Sequence, residues 1–361
     1  EYVAPCDERL AWLTGFTGSA GFAIALAGEA AVFVDGRYTL QVRAQVATDH
    51  FDPVDWPKTK PGPWLAERLG PDDVVGIDPW LHTQTEIDAL TKAGLTVRPV
   101  PNLVGAIWAD RPAPPAGQVT PYPVELAGLS AQDKRTKIAG ILRDAGHKAA
   151  VLSLPDSISW LLNIRGEDLN HMPVVQAFAI LHDDGRAAVF ADPDKMAGVA
   201  EHLGPEVTVA PPDAFEPALR ALSGTVRVDP KTAPYAVALA LEASGAEIAA
   251  DDDPCILPKA TKSAAEIAAT TEAHLRDGAA MVEFLAWLDD AAPKGGLTEI
   301  EVVERLEGFR RATNALHDIS FDTIAGSGPN GAIVHYRVTR NTNRTIMPGD
   351  LMLIDSGGQY L

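Results

Sequence analysis

Two stretches near the C-terminal end decide how this chain is read: Phe321-Asp-Thr-Ile-Ala-Gly-Ser-Gly-Pro-Asn-Gly-Ala-Ile-Val-His335-Tyr336, and Pro348-Gly-Asp-Leu-Met-Leu-Ile-Asp355-Ser-Gly-Gly-Gln-Tyr-Leu361. In the first, a turn-rich segment leads into the β-like run Ala332-Ile-Val and ends on His335. After a polar stretch from Arg337 to Pro348, the apolar strand Leu351 to Ile354 runs straight into Asp355. The pattern places one histidine and one carboxylate at the ends of neighbouring strands, which is how a reactive or metal-binding group is carried on rigid scaffold. Read alone, each has a plainer explanation. An aspartate before Ser-Gly is ordinarily a turn former, because its side chain bonds nearby backbone, and a strand histidine is commonly half-buried without further role.

The segments Gly326-Ser-Gly-Pro-Asn-Gly-Ala-Ile-Val-His-Tyr336 and Leu351-Met-Leu-Ile-Asp-Ser-Gly-Gly-Gln-Tyr360 resemble the catalytic pita-bread domain of the Xaa-Pro aminopeptidases in their three-domain form, and the resemblance runs upstream through almost all of the chain. It implies an α/β and α+β fold, with two creatinase-like α/β domains followed by the start of a pita-bread domain. It implies a metal-dependent aminopeptidase that removes the residue ahead of a proline, by attack of a hydroxide bridging two metal ions. Asp355 matches the first of five metal ligands in that family. The other four, an aspartate, a histidine and two glutamates, have no counterpart here. The chain, opening on Glu1 and closing on Leu361, is therefore expected to be an internal piece that stops inside its catalytic domain and to be inactive alone. A site of carboxylates and one histidine suits Mn2+, with Co2+ or Zn2+ as alternatives.

The same resemblance gives His335 a place outside the metal ligands, contacting substrate and steadying the oxyanion. Arg37, within Asp35-Gly-Arg-Tyr38, would reach the catalytic groove and meet the peptide. Phe321 stands where shorter relatives have a tyrosine, so it is read as an apolar wall. The expected partners are Xaa-Pro peptides and a second copy of the chain, since relatives are dimers. Two alternatives share the scaffold: a creatinase- or prolidase-like hydrolase, and a non-catalytic module that binds peptides or proteins, which fold alone does not distinguish.

The 361 residues, 46% hydrophobic and 22% charged, have the composition of a globular protein of two or three domains. A formal charge of -19 argues against nucleic acid or an anionic membrane as partner. Cys6 and Cys255 form neither a metal knuckle nor a disulfide framework, which suits a reducing, cytoplasmic setting. Two joints, Arg111 to Pro123 and Asp251 to Pro258, are rich in prolines that lack the backbone donor and fix φ. They divide the chain into domains at 1–115, 120–252 and 256–361. The first two read as a repeat: Trp12-Leu-Thr-Gly-Phe-Thr-Gly18 aligns with Trp160-Leu-Leu-Asn-Ile-Arg-Gly166, and Ala31-Val-Phe-Val-Asp35 with Ala188-Val-Phe-Ala-Asp192. The third domain opens with two capping boxes, Ser263-Ala-Ala-Glu266 and Thr298-Glu-Ile-Glu301, the first heading an apolar stripe of Ile267, Leu275, Met281, Phe284 and Leu288.

Other strings fail on context. Gly326-Ser-Gly-Pro-Asn-Gly331 spells G-x-G-x-x-G, but Pro329 and the apolar run after it do not open the helix that a dinucleotide site requires. No G-x-S-x-G elbow and no H-E-x-x-H pair is present.

Overall fold

The computed structural model describes residues 2–360; Glu1 and Leu361, the two chain ends used in the reading above, lie outside the described residues. The chain divides into two compact units, one made of residues 10–58 together with 264 onward, the other of residues 2–9 and 59–263.

The first unit takes its N-terminal part from a hairpin. Helix α1 (Arg9–Thr14) leads to strands β1 (Gly21–Ala25) and β2 (Ala30–Val34), paired antiparallel with Phe22 opposite Phe33 and their rings stacked at 4.8 Å. Helix α2 (Thr39–Gln45) then carries the chain to β3 (Asp52–Asp55), which lies parallel to β2. Ala31, Val32, Phe33 and Val34 are all buried, so the middle strand is covered on both faces, as its unbroken apolar run requires.

The C-terminal part begins with the long helix α3 (Ala264–Ala291), which passes into a 3-10 turn at Ala292–Lys294 that ends on the positive-φ pair Gly295 and Gly296. Helix α4 (Glu299–Ala312) starts on the predicted capping box: Thr298 Oγ1 accepts from the Glu301 N–H, and the Thr298 N–H donates to Glu301 Oε2. Four short strands follow. β4 (Leu316–Ile319) pairs with β7 (Gly358–Tyr360), and β5 (Ile324–Ser327) pairs antiparallel with β6 (Met352–Asp355), Ile324 facing Asp355. The core between helices and strands is Phe284, Val302, Leu306 and Ala325. Only the second half of the predicted α3 stripe joins it. Ile267 and Leu275 are 57% and 66% exposed, because the apolar cluster that covers α3 begins at Met281.

A polar tie joins α3, α4 and β7. Buried Arg310 donates to Asp277 at 2.7 and 3.2 Å, and the Tyr360 hydroxyl donates to Asp277 Oδ1 at 2.8 Å. Burial alone would raise the Asp277 carboxyl, yet Arg310 and Tyr360 hold it below its ordinary value. Burial first, and the Asp277 carboxylate second, push the Tyr360 phenol from 10.0 to about 12. A phenol whose pKa is higher folded than unfolded stabilises fully below the lower value and ceases to do so as pH rises through the higher one. We therefore expect the chain to lose stability between pH 10.0 and about 12, and Tyr360→Phe to lack that component, as read by thermal melts across the range.

The second unit holds a six-stranded mixed sheet in the order Val207–Ala210, Ala187–Phe190, Phe178–His182, Ala149–Leu152, Thr225–Val228, Glu247–Ala250. Alternation along Ala149–Leu152 sends Ala150 and Leu152 into one apolar cluster, with Ile138 and Leu161, and Ala149 and Val151 into another, with Phe215 and Val237. The blocks aligned in the sequence fall on similar local elements. In both copies the tryptophan stands near the end of a helix that closes on a left-handed residue, Gly15 or Asn163. In both, the second block is a strand paired antiparallel with the strand before it and, after helical turns, parallel with the strand after it. The helical turns Pro193–Met196 and Ala200–Leu203 are separated by a 3-10 turn at Ala197–Val199, where Gly198 packs against the Val119 carbonyl.

Candidate active site

Strand β2 delivers Asp35-Gly-Arg-Tyr38 to a tight turn at its carboxyl end. Asp35 Oδ1 accepts from the Arg37 N–H, and both carboxylate oxygens take the guanidinium at 2.7 to 3.0 Å. That hydrogen bond, ahead of the opposing effect of burial, holds the Asp35 carboxyl below its ordinary value. The Arg37 side chain, about one third exposed, also lies over the Tyr38 ring at 5.1 Å. Tyr38 itself is 2% exposed and packs edge-on against Phe16 at 5.6 Å. Its ring fits because residue 18 is glycine: a β-carbon there would sit 2.8 Å from Tyr38 Cδ1.

The Tyr38 hydroxyl meets His335. Oη lies 3.1 Å from His335 Nδ1, across 297 residues of sequence, and the two rings are edge-to-face at 5.7 Å. On its other side the same hydroxyl is 2.5 Å from Ser19 Oγ. The two motifs singled out in the sequence, Asp35 to Tyr38 and the segment ending at His335, thus converge on one contact group inside one unit.

His335 is not on a strand, contrary to the reading of Ala332-Ile-Val-His335 as β-like. After β5 the chain enters a 3-10 helix, Gly328–Ala332, and successive turns place His335 in left-handed backbone at φ 56°. The physical reason lies in Glu299. This first-turn glutamate of α4 is fully buried and gathers the loop around its carboxylate. Ser327 donates its N–H at 2.6 Å and its hydroxyl at 3.2 Å, Asn330 its amide at 3.1 and 3.0 Å, Tyr336 its phenol at 3.1 Å and Arg344 its backbone N–H at 3.3 Å. Each donor pulled inward bends the segment away from an extended path. Gly326 permits the fold-back, since a β-carbon there would come within 2.9 Å of the Asn330 carbonyl. The polar stretch is closed by Arg344, which donates to Ser327 Oγ at 3.0 Å and to Asp350 Oδ2 at 2.5 Å. The position of a carboxylate at a helix N-terminus is favourable on its own account. Glu299 escaped the sequence reading because the capping box needed only Glu301; the second acidic residue of that turn, with no local partner, was the available signal.

Asp355 is the last residue of β6, so the strand ends one position later than a reading that stops it at Ile354. It is exposed, and its carboxylate takes part in none of the hydrogen bonds or ion pairs found among the described residues. Phe321 is half-buried beside the turn that follows Asp355, with Cε1 3.5 Å from where a Gly357 side chain would begin, and the Ser320 N–H donates to the Gly357 carbonyl at 3.0 Å. Arg37, Tyr38 and His335 therefore form one group, and Phe321 lies with the Asp355 turn in another, linked to the first through β5, which pairs with β6 and runs into the His335 loop.

A metal centre of the implied kind needs a set of converging ligands. Among the described residues no three of His, Cys, Asp and Glu lie together in a way that could hold an ion. Asp355 is one carboxylate on an open strand end and does not by itself fit a pair of metal ions.

The mixed α/β architecture, closing on two helices and short paired strands, is that of creatinase-like N-terminal domains followed by the start of a pita-bread domain. Family models for the creatinase/prolidase N-terminal domain match residues 3–107 and 110–266, and that for metallopeptidase family M24 matches 268–361. Among curated proteins, the probable Xaa-Pro aminopeptidase P of Coccidioides posadasii is 36% identical over 387 aligned residues, and that of Aspergillus clavatus 35%; each alignment takes in 100% of this chain and 58% of the relative. The solved X-prolyl aminopeptidase of Caenorhabditis elegans, described as a cytosolic enzyme with a di-nuclear active site, superposes with a TM-score of 0.89 at 29% identity, over 100% of this chain and 61% of that one. The Xaa-Pro dipeptidase of Bacillus anthracis shares the fold, at 21% identity and a TM-score of 0.50, over 64% of this chain and 62% of its own. The chain belongs to the creatinase/prolidase and M24 metallopeptidase family. It spans about three fifths of the length of the relatives it matches.

Proposed function

We propose that this chain forms part of a metal-dependent aminopeptidase that removes the N-terminal residue from peptides with proline in second place. The observation that carries the reading is the meeting of the Asp35–Tyr38 turn and the His335 loop, two motifs of the family joined at 3.1 Å from opposite ends of the sequence. In this reading Arg37, held by Asp35 with part of its guanidinium exposed, binds a carbonyl or carboxylate of the peptide, and His335 donates a hydrogen bond to the carbonyl oxygen as charge develops there. Phe321 forms an apolar wall beside the Asp355 turn, and Asp355 is one ligand of a two-ion centre, Mn2+ by preference, completed by residues beyond Leu361. The metal pair, once bound, would supply Lewis acidity and an activated water. The same reading takes 1–115, 120–252 and 256–361 as the three domains, and a cytoplasmic homodimer as the working form. No helix among the described residues is long and apolar enough to cross a membrane.

The test is cleavage by a protein that continues past Leu361 as its relatives do. Tripeptides with a free amino terminus and proline in second place should be hydrolysed. N-acetylated peptides and those with alanine in place of proline should not. A chelator should abolish the reaction and Mn2+ restore it. Hydrolysis of Xaa-Pro dipeptides alone would instead identify a prolidase-like enzyme.

A further inference from the structure

We propose that Tyr38 is a positioning residue which, braced by Ser19, fixes the ring orientation and tautomer of His335 so that Nε2 presents a hydrogen to the substrate. The orientation rests on geometry alone, and the purpose of the presented hydrogen rests on the function proposed above.

His335 needs an external hold. It sits on a turn, in left-handed backbone that a non-glycine residue adopts at a cost, and no strand ladder fixes its ring. Tyr38 has the opposite character. Its ring is 2% exposed among Phe16, Val34 and Val42, where a phenylalanine would fill the same space. The hydroxyl is therefore what requires explanation, and its two partners are Ser19 Oγ at 2.5 Å and His335 Nδ1 at 3.1 Å. Two proton arrangements satisfy this chain. In one, His335 Nδ1–H donates to Tyr38, which donates to Ser19, leaving Nε2 bare. In the other, Ser19 donates to Tyr38, Tyr38 donates to Nδ1, and Nε2 carries the hydrogen. A phenol O–H is a stronger hydrogen-bond donor than a neutral imidazole N–H, and the bare imidazole nitrogen a stronger acceptor than a phenol oxygen, so the second arrangement prevails. Nδ1 is then committed to the core of the unit, and Nε2, on the opposite edge of the ring, is the free donor. The tautomer of an active-site histidine is generally set by the partner of its other nitrogen, and here that partner comes from a strand-end turn 297 residues away.

The experiment uses the chain with ring-15N-labelled histidine and long-range proton–nitrogen correlation at about pH 8, above the ordinary imidazole titration. The His335 signals are assigned by their loss in His335→Gln. In the unmodified chain His335 should be predominantly the Nε2–H form. Tyr38→Phe should return it to a mixture, and Ser19→Ala should do so partially; the latter substitution keeps the test decisive should the former fail to fold. In a protein extended as its relatives are, Tyr38→Phe should lower kcat about two- to tenfold, the worth of one hydrogen bond, with KM unchanged. An Nδ1–H form in the unmodified chain, or a tautomer ratio indifferent to both substitutions, would overturn the proposal. Normal peptide cleavage by His335→Ala would overturn the functional reading instead, and would leave the tautomer result standing.

Discussion

Asp355→Ala should abolish Xaa-Pro cleavage in a protein extended past Leu361 and leave its melting curve where it was. The two halves of this expectation have different sources. The loss of activity follows from the proposed role as one ligand of a metal pair, because a site short of one carboxylate holds and orients its ions poorly. The unchanged stability follows from the structure: the Asp355 side chain is exposed at the end of β6 and takes part in none of the hydrogen bonds or ion pairs found among the described residues. Surface substitutions away from packed or hydrogen-bonded features ordinarily change stability by less than about 0.5 kcal/mol. Turnover and differential scanning calorimetry on the same preparation check both. Full activity at saturating Mn2+ would remove Asp355 from the site, and a large fall in melting temperature would show that the residue acts through folding.

Glu299→Ala should do the reverse, lowering the stability of its unit by about 3–5 kcal/mol and taking activity with it. The carboxylate is fully buried and receives hydrogen bonds from Ser327, Asn330, Tyr336 and the Arg344 backbone. Its removal would strand several buried donors at once, and an unsatisfied buried group costs more than a made hydrogen bond returns. Since the same bonds bend the chain toward His335, the loop should loosen before the helices α3 and α4 do. Urea denaturation gives the total, and hydrogen exchange at residues 327–344 gives the order of events. Glu299→Gln, which keeps the shape and one acceptor oxygen, should fall between the two.

How much of this could be seen in the sequence depends on the range of each interaction. Thr298 and Glu301 announce α4 because a capping box is complete within four residues. Strand β6 and the carboxylate at its end were legible as an apolar run stopping at Asp355-Ser-Gly. The His335 loop was misread for an equally physical reason. Ala332-Ile-Val has the composition of a strand, but the Ile333 N–H is taken by the Asn330 carbonyl and the Tyr336 N–H by that of Ile333, turns imposed by a glutamate some thirty residues upstream. No local pattern encodes that. Likewise Arg37 and His335 could each be singled out by motif, whereas the phenol that joins them to a single group is invisible to any window of periodicity. The exposed first half of α3 shows the converse: a stripe of Ile267 and Leu275 is written in the sequence, yet a helical repeat does not say what it packs against.

The unit that holds Tyr38 and His335 is assembled from both sides of roughly 200 intervening residues. On the ribosome, at about 5–20 residues per second, the β1–β3 sheet and Tyr38 would emerge about 10–40 s before the helices and strands that complete their unit. For that interval the segment is half a fold. A hairpin with one parallel partner is marginal in water, and β2, with its apolar residues facing both ways, would be poorly covered. The residues from 59 to 263, which hold two substantial core clusters of their own, have everything they need to fold in the meantime. Synthesis would thus run in an unusual order, the middle maturing first and the beginning waiting for the end. A pulse-labelled nascent chain should show the Leu10–Lys58 segment open to protease until translation has passed the His335 loop.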